Sequence, residues 1–399
     1  MKRNVFAGVL SVLLLVSCKG GSNKDKPIIF FNRQPSDTQT GEIDQSTMNY
    51  TDKTFYVGFD AAAGGDVQGK MITDYLATKT KAELDKNGDG VLGYVLAIGD
   101  QAHNDSKART LGIRKALKTV KNNSTNSGAD QTIEGEVTVK DGKLKVKELA
   151  SQAMSGADGS TWNAEAATTA YTTWAGQYKN AIDMAVSNND GMAEGMKSST
   201  AWVEGTLLFG YDANADVLQD IKKGKMTGTV TQNVDAQAFG VLEMVRNLVD
   251  GSSVTDAYTK GFSEKDQYGN QISVPMAYKS DTKALLASNS AITSENIDKF
   301  YNEKETPRDA GVKALPDTAK TIKLWIDLYN GGDTFLSTSY KPALEYYAKL
   351  LKIEMKMVMG DGQSEDAVVS NLNNLGAYDA YAINMVKTNS GKLYTQKIK

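Results

Sequence analysis

Amides and carboxylates recur in this sequence shortly after apolar runs. Asn32 follows Ile28-Ile29-Phe30-Phe31, His103 and Asp105 follow the run ending at Ile98, Asn189 follows Val186, Asp212 follows Phe209, and Asp333 follows Leu328. Ionised carboxylates accept hydrogen bonds, and amides both donate and accept, so these groups gathered at one place would line a cleft with neutral and acidic hydrogen-bonding groups. A second cluster, Asp85-Lys86-Asn87-Gly88-Asp89-Gly90, has the D-x-N-x-D-G spacing that opens a calcium loop. An EF-hand needs a bidentate Glu at its twelfth position, which here is Leu96, so the loop is not an EF-hand. The 399 residues contain one Cys and one His, which excludes a disulfide framework and the thiolate or multi-imidazole sites of most zinc enzymes. A formal charge of −3 offers no basic stripe, and nucleic acid is not an expected partner.

Positioning such groups requires strands that end together. Short apolar runs alternate with longer amphipathic segments, the pattern of an α/β protein whose parallel sheets are covered on both faces. The expected strands include Ile28 to Phe31, Tyr94 to Ile98, Ile182 to Val186, Thr206 to Phe209, Leu324 to Leu328, Met355 to Met359 and Ala380 to Ile383. Ligands of open parallel sheets collect beyond the carboxyl ends of the strands, where the polar residues above fall. After Leu336 a helix is expected, with Pro342 in its first turn and Leu344, Tyr347, Ala348 and Leu351 on one face. Between Glu136 and Val146, alternating Val137, Val139, Leu144 and Val146 around Asp141-Gly142 predict a β-hairpin, read as a surface insertion. Residues 290–321 have no strong period, carry Pro307 and Pro316, and read as a long connection with one short helix.

The first residues set the compartment. Lys2 and Arg3 precede an apolar run from Val5 to Val16, too short to span a bilayer comfortably, which reads as a secretory signal over residues 1–17. It ends in Leu15-Val16-Ser17-Cys18, which looks like a bacterial lipobox. Lipidation of Cys18 would anchor the mature protein to a membrane, with 18–26 as the lipidated residue and its flexible polar leash, and place the rest in an extracytoplasmic space.

Several segments, in order, resemble the periplasmic galactose/glucose-binding proteins of ABC sugar transport, within the periplasmic-binding-protein type 1 family. They are Phe30-Phe31-Asn32-Arg33-Gln34-Pro35, Tyr56-Val57-Gly58-Phe59-Asp60, His103-Asn104-Asp105-Ser106-Lys107-Ala108-Arg109, Asn188-Asn189-Asp190-Gly191, Phe209-Gly210-Tyr211-Asp212 and Gly228-Thr229-Val230. The family has roughly a hundred residues before its first of these segments. Here the matching sequence stands at the other end, in Leu328-Tyr329-Asn330-Gly331-Gly332-Asp333-Thr334-Phe335-Leu336 and Ala382-Ile383-Asn384-Met385-Val386. The resemblance therefore implies a circularly permuted, two-lobed fold, each lobe a parallel sheet flanked by helices; exchanging surface ends need not disturb a core. Lobe 1 would combine 27–59, 233–270 and 321–399, and lobe 2 would combine 60–232 and 271–300. Residues 301–320 would join the ancestral termini. The crossings between lobes would fall near Phe59-Asp60, Gln232-Asn233 and Gln271-Ile272.

The resemblance also implies a site. A pyranose needs planar polar groups at its rim and aromatic planes on its faces. Phe335 and Trp162 would sandwich it, while Asp333, Asn32, His103, Asp105, Arg109, Asn189 and Asp212 would bond its hydroxyls. An aspartate in the place of Asp333 accepts from an axial or an equatorial hydroxyl, which accommodates both glucose and galactose. Gln232 stands where the family has Asn, so one hydroxyl would be held differently. For calcium, the resemblance implies Asp85, Asn87, Asp89, the Val91 carbonyl and Asp183, with Gly93 in place of a Gln ligand. The implied function is a monomeric, lipid-anchored binding protein that closes on D-glucose or D-galactose and presents it to an ABC permease in the inner membrane. The alternative is a glycosidase using Asp105 and Asp333.

Overall fold

A computed structural model describes residues 23–120, 133–254, 262–265, 271–301 and 314–398. The expected signal segment and Cys18 lie outside the described residues, as does most of the expected linker, 302–313. The described residues form two seven-stranded sheets and a separate antiparallel pair of strands. The first sheet runs, edge to edge, Met276–Lys279, Ala284–Ala287, Thr54–Phe59, Ile28–Phe31, Ala380–Asn384, Ile322–Leu328 and Ile353–Met359. All neighbours are parallel except the first pair. The second runs Ser290–Thr293, Gly228–Thr231, Leu207–Phe209, Met184–Ser187, Val91–Ile98, Gly142–Ala153 and Glu134–Val139, with antiparallel pairs only at its two edges. Helices flank both sheets, as expected of an α/β fold.

Burial explains the strand sequences. Ile28, Ile29, Phe30 and Phe31 are all fully buried, as a central strand covered on both faces requires. The C-terminal strands are not a separate body: Phe30 pairs with Ile383 and Ile326 with Ala382, so chain beginning and chain end share one sheet and one core. The helix Lys341–Leu350 carries Pro342 in its first turn and buries Leu344, Tyr347 and Ala348, matching the sequence pattern.

Three expectations need correction. Residues 271–300 do not belong to one lobe: Ala284–Ala287 pairs in parallel with Thr54–Phe59 in the first sheet, whereas Ser290–Thr293 pairs with Gly228–Thr231 in the second. The crossing thus lies between Ala287 and Ser290, not at Gln271-Ile272; among the described residues the Gln271–Val274 strand pairs only with Phe262–Lys265. The hairpin around Asp141-Gly142 forms, but it is not a surface insertion. Its second strand continues to Ala153 and pairs with Val91–Ile98, and Val137, Val139, Leu144 and Val146 are buried in the lobe's core. Residues 290–321 are not wholly a connection, since they open with the edge strand Ser290–Thr293 before the short helix Ile297–Lys299.

The elements behind the site are held by close packing. Helices Ala61–Ala77 and Asn104–Ala116 touch at glycines: a Cβ on Gly65 would lie 2.3 Å from the Ala108 carbonyl oxygen, and one on Gly112 would lie 2.2 Å from that of Gly65. This approach fixes the helix that carries Asp105 and Arg109. In the first sheet, Asp327 is fully buried with neither carboxyl oxygen hydrogen-bonded. Burial pushes its carboxyl up to about 7, against a smaller opposing pull from the Tyr394 hydroxyl. The folded state therefore holds a proton that the unfolded chain releases above about pH 4, so stability falls as pH rises toward 7. Asp327→Asn is expected to raise the urea midpoint at pH 7.5 and to flatten its decline between pH 4.5 and 7; an equal midpoint at pH 7.5 contradicts this.

Candidate functional site between the two lobes

Both lobes contribute to one cavity of ≈ 330 Å³. Lobe 1 supplies Asn32, Asp333 and Phe335, and lobe 2 supplies His103, Asp105, Arg109, Trp162, Asn189 and Asp212, with Gln232 from the crossing. Every residue expected from the sequence to contact a sugar lines this cavity. It is also lined by Arg33, Tyr329, Thr161 and Gln363, which sequence reasoning did not single out. Arg33 directly follows Asn32 and Tyr329 lies four residues before Asp333, so motif adjacency was the available signal.

Arg109 is the electrostatic centre. Its Nη1 donates to the Asn188 carbonyl at 2.7 Å, its guanidinium stacks 3.5 Å over the Tyr211 ring, and it lies 3.7 Å from Asp212 and 3.8 Å from Asp105. Burial pushes the Asp105 carboxyl up to about 6, with Arg109 and Arg33 pulling it down. Burial likewise pushes Asp212 upward, opposed by Arg109 and reinforced by the charge of Asp190. His103 accepts from the Asp105 N–H at Nδ1, 3.2 Å, which assigns the proton of the neutral ring to Nε2. Burial and the nearby Arg33 and Arg109 hold this imidazole well below its usual range, so it is neutral. The site thus offers fixed acceptors on two carboxylates, a guanidinium and a neutral imidazole donor.

An amide relay crosses from one lobe to the other. Asn384 donates to Asn32 Oδ1 at 3.1 Å, Asn32 to Gln232 Oε1 at 3.2 Å, and Gln232 to Asp212 Oδ1 at 2.6 Å. Gln232 therefore spends one donor and one acceptor on protein partners. Asp333 accepts from the Tyr329 hydroxyl at 2.5 Å and from the Leu336 N–H at 3.0 Å, which fixes its carboxylate at the start of the following helix. Tyr329 is in turn covered by the Arg33 guanidinium, 3.5 Å from the ring centroid. Asn189 is oriented by accepting from the Met192 N–H at 2.9 Å. At the rim, Thr161 of lobe 2 donates to Gln363 of lobe 1 at 2.9 Å, so the two lips touch.

Trp162 sits at φ +60°, a conformation that non-glycine residues rarely adopt. A Cβ on Gly99 would lie 2.3 Å from its ring, so only glycine there lets the indole lie flat against the strand end. His103 meets that indole edge-on at 5.5 Å, and the buried indole Nε1 has no hydrogen-bond partner.

The loop of the calcium expectation forms a compact turn. Asp85 accepts from the N–H groups of Gly88, Asp89 and Gly90 at 2.8, 3.1 and 2.7 Å, and Asp89 accepts from Val91 at 2.9 Å. Asp183 accepts from Lys86 and Gly93. Among the described residues no group of three or more His, Cys, Asp or Glu side chains is arranged to hold a metal. The carboxylates of Asp85, Asp89 and Asp183 thus all accept from backbone N–H groups of this turn and its neighbouring strands.

A two-lobed α/β protein with a polar cavity between lobes defines a class, and sequence comparison gives the same class. The chain belongs to the periplasmic binding protein domain family: one family profile matches residues 19–253, and a second of the same description matches residues 321–391. It has the periplasmic-binding-protein type 1 fold. Over 232 residues it is 29% identical to the D-galactose/methyl-galactoside binding periplasmic protein of Haemophilus influenzae, covering 58% of this chain and 59% of that one. The chain thus spans about three fifths of the length of this relative. Among solved structures, an ABC transporter periplasmic solute-binding protein from Actinobacillus succinogenes with bound D-allose is 18% identical, covers 69% of this chain and 72% of its own, and has a TM-score of 0.44. A glucose-galactose binding protein from Geobacillus stearothermophilus is 12% identical, with 68% of each chain covered and a TM-score of 0.40. Among the described residues no helix is long and apolar enough to cross a membrane.

Proposed function

We propose that this protein is an extracytoplasmic solute-binding protein that captures D-glucose or D-galactose between its lobes and presents it to an ABC permease. The observation that carries the reading is the convergence of Asp333, Phe335 and Asn32 from one lobe with Trp162, Arg109 and Asp212 from the other around one ≈ 330 Å³ cavity. Such a cavity suits a monosaccharide, with aromatic side chains for its C–H faces and charged or amide groups for its hydroxyls. Closure would be the signal, because the liganded state brings both lobes' outer surfaces into register for the permease. We also propose that the chain is a circular permutant; the position of Ile322–Leu328, Ile353–Met359 and Ala380–Asn384 beside Ile28–Phe31 supports this. Anchoring through a lipidated Cys18 and a monomeric state belong to the same proposal.

Titration calorimetry against a monosaccharide panel tests the reading. Glucose or galactose is expected to bind with micromolar or tighter affinity, about −8 kcal/mol or better, and absence of binding by both overturns it. Trp162→Ala is expected to weaken that binding at least tenfold with an unchanged circular dichroism spectrum; equal affinity removes Trp162 from the site. Sustained release of nitrophenol from nitrophenyl glucosides or galactosides would instead support the glycosidase.

A further inference from the structure

We infer that Asp190, which lies behind the cavity wall, is a positioning residue that holds the loop carrying Asp212 in its ligand-binding conformation. The inference rests on the sugar-binding reading of the site. Asn189 and Gly191 line the cavity on either side of Asp190, but Asp190 itself turns away and is fully buried.

The geometry makes Asp190 a clasp. Its Oδ1 accepts from the Thr229 hydroxyl at 2.7 Å, its Oδ2 accepts from the Asn214 N–H at 2.9 Å, and its own N–H donates to the Tyr211 carbonyl at 2.7 Å. A Cβ on Gly210 would lie 2.2 Å from Oδ1, so the loop backbone runs directly over the carboxylate. Asp190 therefore grips residues 210–214 on both sides of Asp212. Within that loop Asp212 has φ +129° and Ala213 has φ +60°, two consecutive non-glycine residues in sparsely populated conformations. Such backbone persists only where the surroundings over-determine it. Thr229 serves the same purpose twice, because its hydroxyl oxygen also accepts from the Ala213 N–H at 3.3 Å. Held this way, Asp212 meets Gln232 at 2.6 Å and faces Arg109 at 3.7 Å.

The clasp also sets the charge of the site. The charged groups that act on Asp190 are acidic: Glu194 on its own helix, Asp216 on the helix Ala215–Lys222 and Asp212 in the loop it holds. Asp212 feels Arg109 as a cation and Asp190 and Asp333 as anions. Burial pushes the Asp190 carboxyl up to about 7, so its charge acts on Asp212 only near pH 7 and above, and Asp190→Asn removes that charge while keeping the shape. Asp190→Asn should therefore lack the change in affinity that accompanies ionisation of Asp190 around pH 7. A residue with a packing role alone would not move that profile.

The test uses the full chain, with D-glucose and D-galactose titrated calorimetrically from pH 5 to 8 into wild type, Asp190→Asn and Thr229→Val. The expected result is at least tenfold weaker binding at pH 7.5 by both variants, and loss in Asp190→Asn of the change in affinity that wild type shows around pH 7. The inference is overturned if both variants fold and bind within twofold of wild type with the same pH profile. Should Asp190→Asn fail to fold, Thr229→Val decides alone: tenfold loss supports the clasp and twofold or less rejects it. A wild type that binds neither hexose overturns the sugar-binding reading and the inference together. A wild type that binds while the variants bind equally well overturns only the inference.

Discussion

Arg109→Met is expected to reduce sugar affinity by roughly a thousandfold, about 4 kcal/mol. Methionine keeps much of the aliphatic length of arginine and can fill the space against Tyr211, so the loss is electrostatic more than steric. Arg109 is 3% exposed, and both Asp105 and Asp212 lie within 4 Å of it. Without the guanidinium these two buried carboxylates lose the cation they share, while the charge of Asp333 still acts on Asp212. Burial already pushes both upward, and Arg109 is the largest opposing influence on each. They would therefore take up protons near neutral pH and lose the charge-assisted acceptor strength that a hydroxyl ligand uses. The Asn188 carbonyl would also lose its 2.7 Å donor at the end of the strand Met184–Ser187. Calorimetry at pH 7.5 checks the prediction: an affinity within tenfold of wild type would show that Arg109 is peripheral. Partial recovery at higher pH, where the carboxylates ionise again, is the accompanying signature.

Much of this site is legible in the amino-acid sequence because its residues obey two independent regularities. Asn32, Asp212 and Asp333 each follow a short apolar run, and parallel strands deliver the residues after them to a common edge. The resemblance adds Trp162 and Phe335, which no strand pattern would choose. The second layer escapes such reasoning. Arg33, Tyr329 and Asp190 flank or back the contacting residues, and their roles depend on which face of a short loop each side chain takes. Positive φ at Asn32, Trp162 and Asp212 sets those faces, and nothing in local composition announces it. The displaced crossing has a related cause. Ala284–Ala287 is a four-residue apolar strand and Ser290–Thr293 a four-residue strand of mixed polarity, and two such strands two residues apart resemble one irregular stretch. Only pairing partners on different sheets separate them. The hairpin reads as an insertion because its turn is a local signal, whereas the pairing of its second strand with Val91–Ile98 is not. Asp85 to Gly90 shows a converse ambiguity: metal-loop spacing and a tight Asx-rich turn use the same residues, and the Asp85 oxygens accept from backbone N–H groups.

Glu148→Ala is expected to cost about 3–5 kcal/mol of stability, far more than its effect on sugar affinity. Glu148 is 3% exposed and Arg114 is 3% exposed. Arg114 Nε donates to Glu148 Oε2 at 2.8 Å and Nη2 donates to Oε1 at 2.5 Å, a bidentate pair to which Tyr94 adds a third bond at 2.6 Å. Removing the carboxylate takes a bidentate anionic partner from a buried guanidinium that also bonds the Ser151 hydroxyl, and leaves Tyr94 with Thr119 among its side-chain partners. The pair sits where the pairing of Val91–Ile98 with Gly142–Ala153 shifts register, between Tyr94 and Val95, so it also pins an irregular joint in the sheet. Its link to function runs through one helix. Asn104–Ala116 carries Arg114 near its last turn and Asp105 and Arg109 in its first two, so the buried pair ties down one end while the other faces the cavity. Loosening the far end lowers the population of folded protein before it moves the near end, which Gly65 and Gly112 still lock against Ala61–Ala77. Urea unfolding without ligand should show the loss, and the double variant Arg114→Met/Glu148→Leu should recover most of it, because an apolar pair leaves no buried charge unmatched. A single Glu148→Ala loss below about 1 kcal/mol, or a double variant no more stable than the single, would mean that water reaches this pair and that it does not anchor the helix.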